Sequence, residues 1–204
     1  RPLAIDPHAG PDAAASRDHV ISEHPVSRCL FIAGGKWTTW REMSQDVVDK
    51  LTETPCKTLG FPLLGGDGYS EELATKVQET FPFLDTDICE HLVGTYGGRV
   101  WDVCAKMGQQ QQQPQGGLER RLVDGFPYVE AEVLYACQEY ACSIEDILSR
   151  RTRLAYLDRG AALAALPRVA QLMQHELKWT ETVTKLQMQA AKAYVESYSG
   201  GSDE

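Results

Sequence analysis

Between Thr54 and Gly68 the chain carries Pro55, Gly60, Pro62, Gly65, Gly66 and Gly68, a density of backbone breakers that no continuous helix or strand crosses. The two sides must therefore fold as separate units. Upstream, Cys29 to Ala33 reads as a short apolar strand, and Arg41 to Thr52 places Met43, Val47, Val48 and Leu51 at helical spacing. Downstream of Ser70 the pattern is helical almost throughout. The expected organisation is a strand-and-helix piece over residues 1–55, a linker over 56–69 and an all-α domain over 70–204. The class is mainly α, and α+β overall.

Helix boundaries in the second part follow from local chemistry. Ser70 ahead of Glu71 and Glu72, and Asp85 ahead of Ile88 and Leu92, read as helix starts. Gly94, Gly97 and Gly98 end or bend the second of these, and a further helix is predicted over Val100 to Lys106. Gln109 to Gln113, followed by Pro114, Gln115 and two glycines, predicts a solvated, disordered insertion at 108–117. Pro127 suits the first position of a helix whose stripe is Val129, Val133, Leu134, Cys137 and Tyr140. Ser143 with Asp146 starts another, which includes Ile144, Ile147, Leu148 and Leu154. Ala161 to Glu176, with a kink or late start at Pro167, and Thr180 to about Ser197 complete the bundle.

Bulk properties exclude several classes. A formal net charge of -9 argues against a general nucleic-acid binder, whose affinity rests on clustered Lys and Arg. Six cysteines without CxxC spacing predict reduced thiols rather than a zinc site or disulfide framework, and Cys137 and Cys142 are assigned to packing. His19, His91 and His175 have no metal-like spacing and are expected to be structural or exposed. No apolar run reaches the roughly 20 residues of a membrane-spanning helix. The chain opens at Arg1 without a methionine, which predicts a fragment, a processed product or one half of a split protein.

The candidate site is the junction Ile32-Ala33-Gly34-Gly35-Lys36-Trp37-Thr38-Thr39-Trp40-Arg41-Glu42. Glycines allow close approach of a ligand to the backbone, and the first turn of a helix offers unpaired amides and a partial positive charge. Lys36 adds a full charge. Thr39 and Glu42 have the spacing of a capping box.

Five motifs occur in one order: Arg1-Pro2-Leu3, Ser16-Arg17-Asp18-His19, the Gly34 to Arg41 segment, Tyr128-Val129-Glu130-Ala131-Glu132-Val133, and Asp146 through Leu154 with its Ser149-Arg150-Arg151-Thr152-Arg153 centre. Together they resemble the C-terminal part of the FAD-dependent, quinone-reducing glycerol-3-phosphate dehydrogenases of mitochondrial type, from Arg1 to about Trp179. The resemblance implies that residues 1–55 are the terminal strand and helix of a glutathione-reductase-like FAD and substrate domain. It also implies oxidation of sn-glycerol 3-phosphate to dihydroxyacetone phosphate, with electrons passed to a membrane quinone.

By the same resemblance Arg1, Arg17 and Lys36 bind substrate, Lys36 is catalytic, and Gly34, Gly35, Lys36, Thr38 and Thr39 contact FAD. The guanidinium fork suits phosphate, and a fixed lysine stabilises developing negative charge. The general base is expected upstream, and no metal is implied. No GxGxxG fingerprint occurs here, so FAD is expected to be shared with an upstream half, in the same polypeptide or a partner chain. Localisation at the mitochondrial inner membrane, without a spanning segment in this chain, is the matching expectation. The alternative is a non-catalytic helical interaction subunit, derived from that enzyme, within a larger mitochondrial assembly. Arg150, Arg151 and Arg153 are read first as partners of acidic neighbours or a helix C-terminus, and second as a contact for the flavin domain.

Overall fold

Strand β1, His19–Glu23, pairs antiparallel with β2, Leu30–Gly34, in a register that sets His19 opposite Gly34 and Ile21 opposite Ile32. These coordinates are a computed structural model, which describes residues 18–108 and 117–198. Arg1, Arg17 and nearly all of the glutamine-rich insertion lie outside the described residues. The chain divides into two units, Arg1–Phe61 and Pro62–Glu204.

In the first unit the strands close through Arg28, which takes a left-handed φ of 62°. A one-turn 3-10 segment, Trp37–Thr39, then leads into helix α1, Trp40–Val48. The helix predicted to reach Thr52 ends earlier, because Asp49 to Thr52 turn back onto the last carbonyls of α1. Its apolar face is also less buried than its spacing implies. Two strands offer little to cover it, so Met43 and Val47 are half-buried while Val48 is 49% and Leu51 71% exposed. Among the described residues of this unit only Gly35 is buried. A two-stranded sheet without a core is at best marginally stable in water.

The second unit holds the core. Helices α2 (Leu73–Thr80), α3 (Thr86–Tyr96), α4 (Val100–Gly108), α5 (Glu130–Gln138), α6 (Leu154–Leu157), α7 (Arg159–Leu177) and α8 (Glu181–Ser197) pack around Leu92, Val103, Val133, Ile147, Leu148, Val169 and Met173, each fully buried. The structure is mainly helical, as the sequence pattern predicts. Helix α5 is central, with seven consecutive residues from Glu130 to Ala136 buried. Pro167 lies within α7, which runs through it without a late start.

Several boundaries differ from expectation for identifiable reasons. Helix α2 begins at Leu73 rather than Ser70, whose carbonyl instead accepts from the Leu73 amide at 3.0 Å. Pro127 does not open α5. Val129 is instead extended and bridges antiparallel to Arg121, flanked by the Leu122 amide donating to the Tyr128 carbonyl at 2.8 Å and the Glu130 amide to the Arg120 carbonyl at 2.9 Å, so the helix starts only at Glu130. Tyr140 leaves the predicted stripe because the chain turns there with a φ of 68°, which puts its ring 95% exposed. Beyond that turn Cys142 is exposed rather than packed, while Cys137 lies half-buried against the core. The helix predicted from Ser143 widens into a π-helical turn, Asp146–Arg151, where the Thr152 amide reaches back five residues to the Ile147 carbonyl, and breaks at Arg153, with φ 60°.

Candidate functional site

Gly34 and Gly35 carry consecutive positive φ values of 81° and 74°, so the backbone reverses hand twice before Lys36 returns to extended geometry. Other residues rarely adopt that sequence of torsions. At Gly35 a second constraint acts from within the chain, because a Cβ there would overlap the Met43 sulfur and lie 3.3 Å from the His19 Cβ. The double glycine therefore lets β2 pass directly over α1. It also throws Lys36 outward, where its side chain is exposed.

The turn after Lys36 differs from the predicted capping box. Thr39 does not cap α1 toward Glu42. Its hydroxyl turns back, accepting from the Lys36 amide at 3.3 Å and donating to the Lys36 carbonyl at 3.1 Å. Among the described residues, nothing accepts from the Trp37 and Thr38 amides, which head this turn. Free amides beside a lysine are a suitable seat for an anionic or electron-rich group.

Beside this turn lies a cleft of about 550 Å³, lined by Gly34, Gly35 and Lys36 on one side and by Ile32, Trp37, Trp40, Met43, Val47 and Val48 on the other. A volume of that order holds a cofactor-sized ring system. The cleft combines apolar and aromatic walls with one cation at its edge, the composition that suits a planar heteroaromatic ligand. Of the predicted cofactor contacts the structure brings Gly34, Gly35 and Lys36 to this cleft, while Thr38 and Thr39 fall outside its lining. Trp37 and Trp40, which lie in the motif but are assigned no contact by the resemblance, form much of its wall. Their exposure, 89% and 52%, is the signal, since large aromatic side chains left open to solvent call for a covering group.

Behind the turn, His19 links strand to helix. Its Nε2 lies 2.8 Å from an Asp46 carboxylate oxygen on α1, and its Nδ1 lies 3.1 Å from Asp18. The His19 amide, the nearby ring and, more weakly, Lys36 hold the Asp18 carboxyl below its ordinary range. His19 is expected to be structural or exposed, and its ring is covered, with 11% of the side chain exposed.

Of the arginine cluster in the second unit, Arg150 and Arg151 are matched to acids. Arg150 pairs with Glu145 and, at 2.8 Å, with Asp146, and Arg151 reaches Glu139 at 3.0 Å as well as the Glu139 carbonyl. Among the described residues no group of three or more His, Cys, Asp or Glu side chains could hold a metal ion. No helix among them is long and apolar enough to cross a membrane.

Residues 56–184 match the sequence profile of the C-terminal domain of alpha-glycerophosphate oxidase, well over half of the chain. The chain belongs to this family. Likeness to curated relatives reaches beyond the helical unit into the strands and the double glycine. The mitochondrial glycerol-3-phosphate dehydrogenase of Mesocricetus auratus is 40% identical over 201 residues, which cover 96% of this chain and 27% of the relative. The enzyme of the same name from Homo sapiens is 38% identical with the same coverage. A probable mitochondrial glycerol-3-phosphate dehydrogenase from Dictyostelium discoideum is 38% identical over 210 residues, covering 97% of this chain and 32% of its own length. The chain thus spans roughly a quarter to a third of these relatives, and the relatives' names mark the family as one of oxidoreductases acting on glycerol phosphate.

Proposed function

We propose that this chain is the C-terminal portion of an FAD-dependent dehydrogenase that oxidises sn-glycerol 3-phosphate to dihydroxyacetone phosphate and passes the electrons to a membrane quinone. The observation that carries the reading is the cleft walled by Trp37, Trp40 and Met43 with Gly34, Gly35 and Lys36 at its edge, in a unit whose described residues form no core of their own. Its residues fit the ring system of a flavin. Apolar walls accept the ring faces, and the free amides and the lysine favour electron density at its edge. FAD, when bound, supplies the two-electron acceptor for the hydride leaving C2 of the substrate.

The roles of the chain's own residues follow from charge and shape. Lys36 stabilises negative charge as it develops at the cleft edge, and contributes to holding the substrate. Arg1 and Arg17, both outside the described residues, are assigned the phosphate, which a guanidinium fork binds through two parallel hydrogen bonds. Gly34 and Gly35 keep the backbone thin enough for the ligand to approach, and Thr38 and Thr39 complete the set of cofactor contacts. A base outside this chain removes the hydroxyl proton. The exposed apolar residues Phe31, Ile32 and Trp37 support a cover supplied by the dinucleotide-binding half of the enzyme, in the same polypeptide or in a partner. Association with the mitochondrial inner membrane completes the reading.

Lys36→Ala in the complete enzyme tests it. Because Lys36 is exposed, the fold is retained, while turnover falls about a hundredfold or more. Unchanged turnover removes Lys36 from the mechanism. A purified complex without flavin absorbance in proportion to this chain favours a non-catalytic helical subunit instead.

A further inference from the structure

We infer that His19, braced between Asp18 and Asp46, is the positioning residue that fixes the Gly34 to Lys36 turn and so sets where the Lys36 charge falls. This rests on the proposed role of Lys36. Among its described residues the first unit has no buried side chain to hold α1 against the strands, since only Gly35 is buried there. Orientation must then come from polar ties. The tie between His19 on β1 and Asp46 on α1, at 2.8 Å, joins residues 27 apart in sequence. The imidazole is well covered, with 11% of its side chain exposed.

His19 and its neighbour Asp18 meet the turn at three points. His19 stands opposite Gly34 in the strand register. Its Cβ occupies the space that a side chain on Gly35 would need. The preceding residue, Asp18, accepts from the Gly35 amide through its backbone carbonyl at 3.4 Å, while its carboxylate accepts from the His19 amide at 2.8 Å and faces Nδ1 of the ring. Each ring nitrogen therefore faces a carboxylate oxygen, one from the strand end and one from the helix. A side chain with a single reach cannot replace it, and losing either end frees the turn to shift relative to α1. Misplacement of a reacting group by about 1 Å costs rate steeply, on the order of a hundredfold.

The experiment uses the complete flavin-loaded enzyme with His19→Gln, Asp46→Ala, Asp46→Asn and Lys36→Ala, measuring kcat, KM and flavin content. Amide hydrogen exchange is followed over residues 32–38. His19→Gln and Asp46→Ala are each expected to lower kcat about tenfold or more per bound flavin while accelerating exchange across Gly34 to Lys36. The double variant is no worse than either single one, because both remove the same tie. Asp46→Asn, whose side-chain oxygen still accepts from the ring, recovers most of the rate.

Wild-type kcat and exchange in His19→Gln and Asp46→Ala, with Lys36→Ala impaired, overturn the brace and leave the Lys36 reading standing. Loss of flavin content with kcat per flavin unchanged also overturns it, because His19 is then only a stabilising contact. If Lys36→Ala is itself fully active, Lys36 has no part in the mechanism and the inference falls with that role. Should His19→Gln not fold, the two exposed-side Asp46 variants decide the matter alone.

Discussion

Gly97 meets Gly65 backbone to backbone, leaving no room for a side chain on either. The Gly98 amide donates to the Gly65 carbonyl at 2.8 Å, a Cβ on Gly97 would overlap that carbonyl, and one on Gly65 would lie 2.8 Å from the Tyr96 carbonyl. The loop that leads into the helical unit is thereby seated on the junction of α3 and α4.

Gly97→Ala is expected to be costly on two counts. Gly97 has φ 54° and ψ -133°, a region open essentially to glycine, and the added methyl must push the Gly65 carbonyl away. A loss of about 2 to 4 kcal/mol follows. Thermal unfolding checks it, since about 1 kcal/mol shifts the midpoint of a domain this size by about 2 to 4 °C. A variant that melts with the wild type shows that the loop yields freely.

That contact marks what the sequence could and could not reveal. The glycines at 65, 97 and 98 are plain in the sequence, but as breakers they announce only that helices stop, not that two stopping points 32 residues apart stack on each other. The helical unit was readable because its core is periodic, as in Val129 and Val133 or Ile144 and Ile147. Its ends were read less well wherever a charged side chain was already committed elsewhere. Asp85 flanks α3 as its spacing predicts, yet makes no cap bond, because its carboxylate receives Arg121 at 2.8 Å. At the candidate site the double glycine and Lys36 stand out as a motif. The His19–Asp46 tie does not, since nothing local links a strand residue to a helix residue so far along the chain.

Arg168 and Glu130 form a forked ion pair at the edge of the core, with Nε 2.7 Å and Nη2 2.5 Å from the two carboxylate oxygens. Glu130 is 4% exposed. Arg168→Met keeps the stem but strands that carboxylate, so a loss of about 2 to 4 kcal/mol is expected. The double variant Arg168→Met, Glu130→Gln recovers part of it. Denaturant midpoints for the two proteins give the comparison, and equal midpoints for wild type and Arg168→Met deny the pair any role.

Thiol reactivity separates the cysteines by environment. Burial pushes the Cys104 thiol up to about 12, with its neighbour Cys89 adding to the effect, and pushes Cys137 up to about 11. The Thr58 hydroxyl, at 3.2 Å, and then the Thr58 amide hold Cys56 below the ordinary thiol range. The thiolate is the reactive form. Iodoacetamide at about pH 8 is therefore expected to label Cys56 well before Cys104 or Cys89, which react only on unfolding, as peptide mass spectrometry reports. Equal labelling of Cys104 and Cys56 in the folded protein contradicts the assignment.

Asp146 gives the π-helical turn a dependence on pH. Burial alone raises its carboxyl, but the Cys142 amide at 3.0 Å, the Ser143 amide at 2.9 Å and Arg150 at 2.8 Å outweigh that and hold it below its ordinary value. Ser143 returns the bond, its hydroxyl accepting from the Asp146 amide at 3.1 Å, which makes the reciprocal cap that the spacing of these two residues announces. A carboxyl lowered on folding stabilises the native state at pH values above its unfolded pKa, and that stability is lost as pH falls through the folded one. Asp146→Ala is thus expected to be about 1 to 2 kcal/mol less stable than wild type near neutrality. The gap closes below about pH 4 as the wild-type carboxylate takes up its proton. Urea unfolding of both proteins at several pH values measures it, and a gap that persists unchanged into acid shows that shape, not charge, accounts for the residue's contribution.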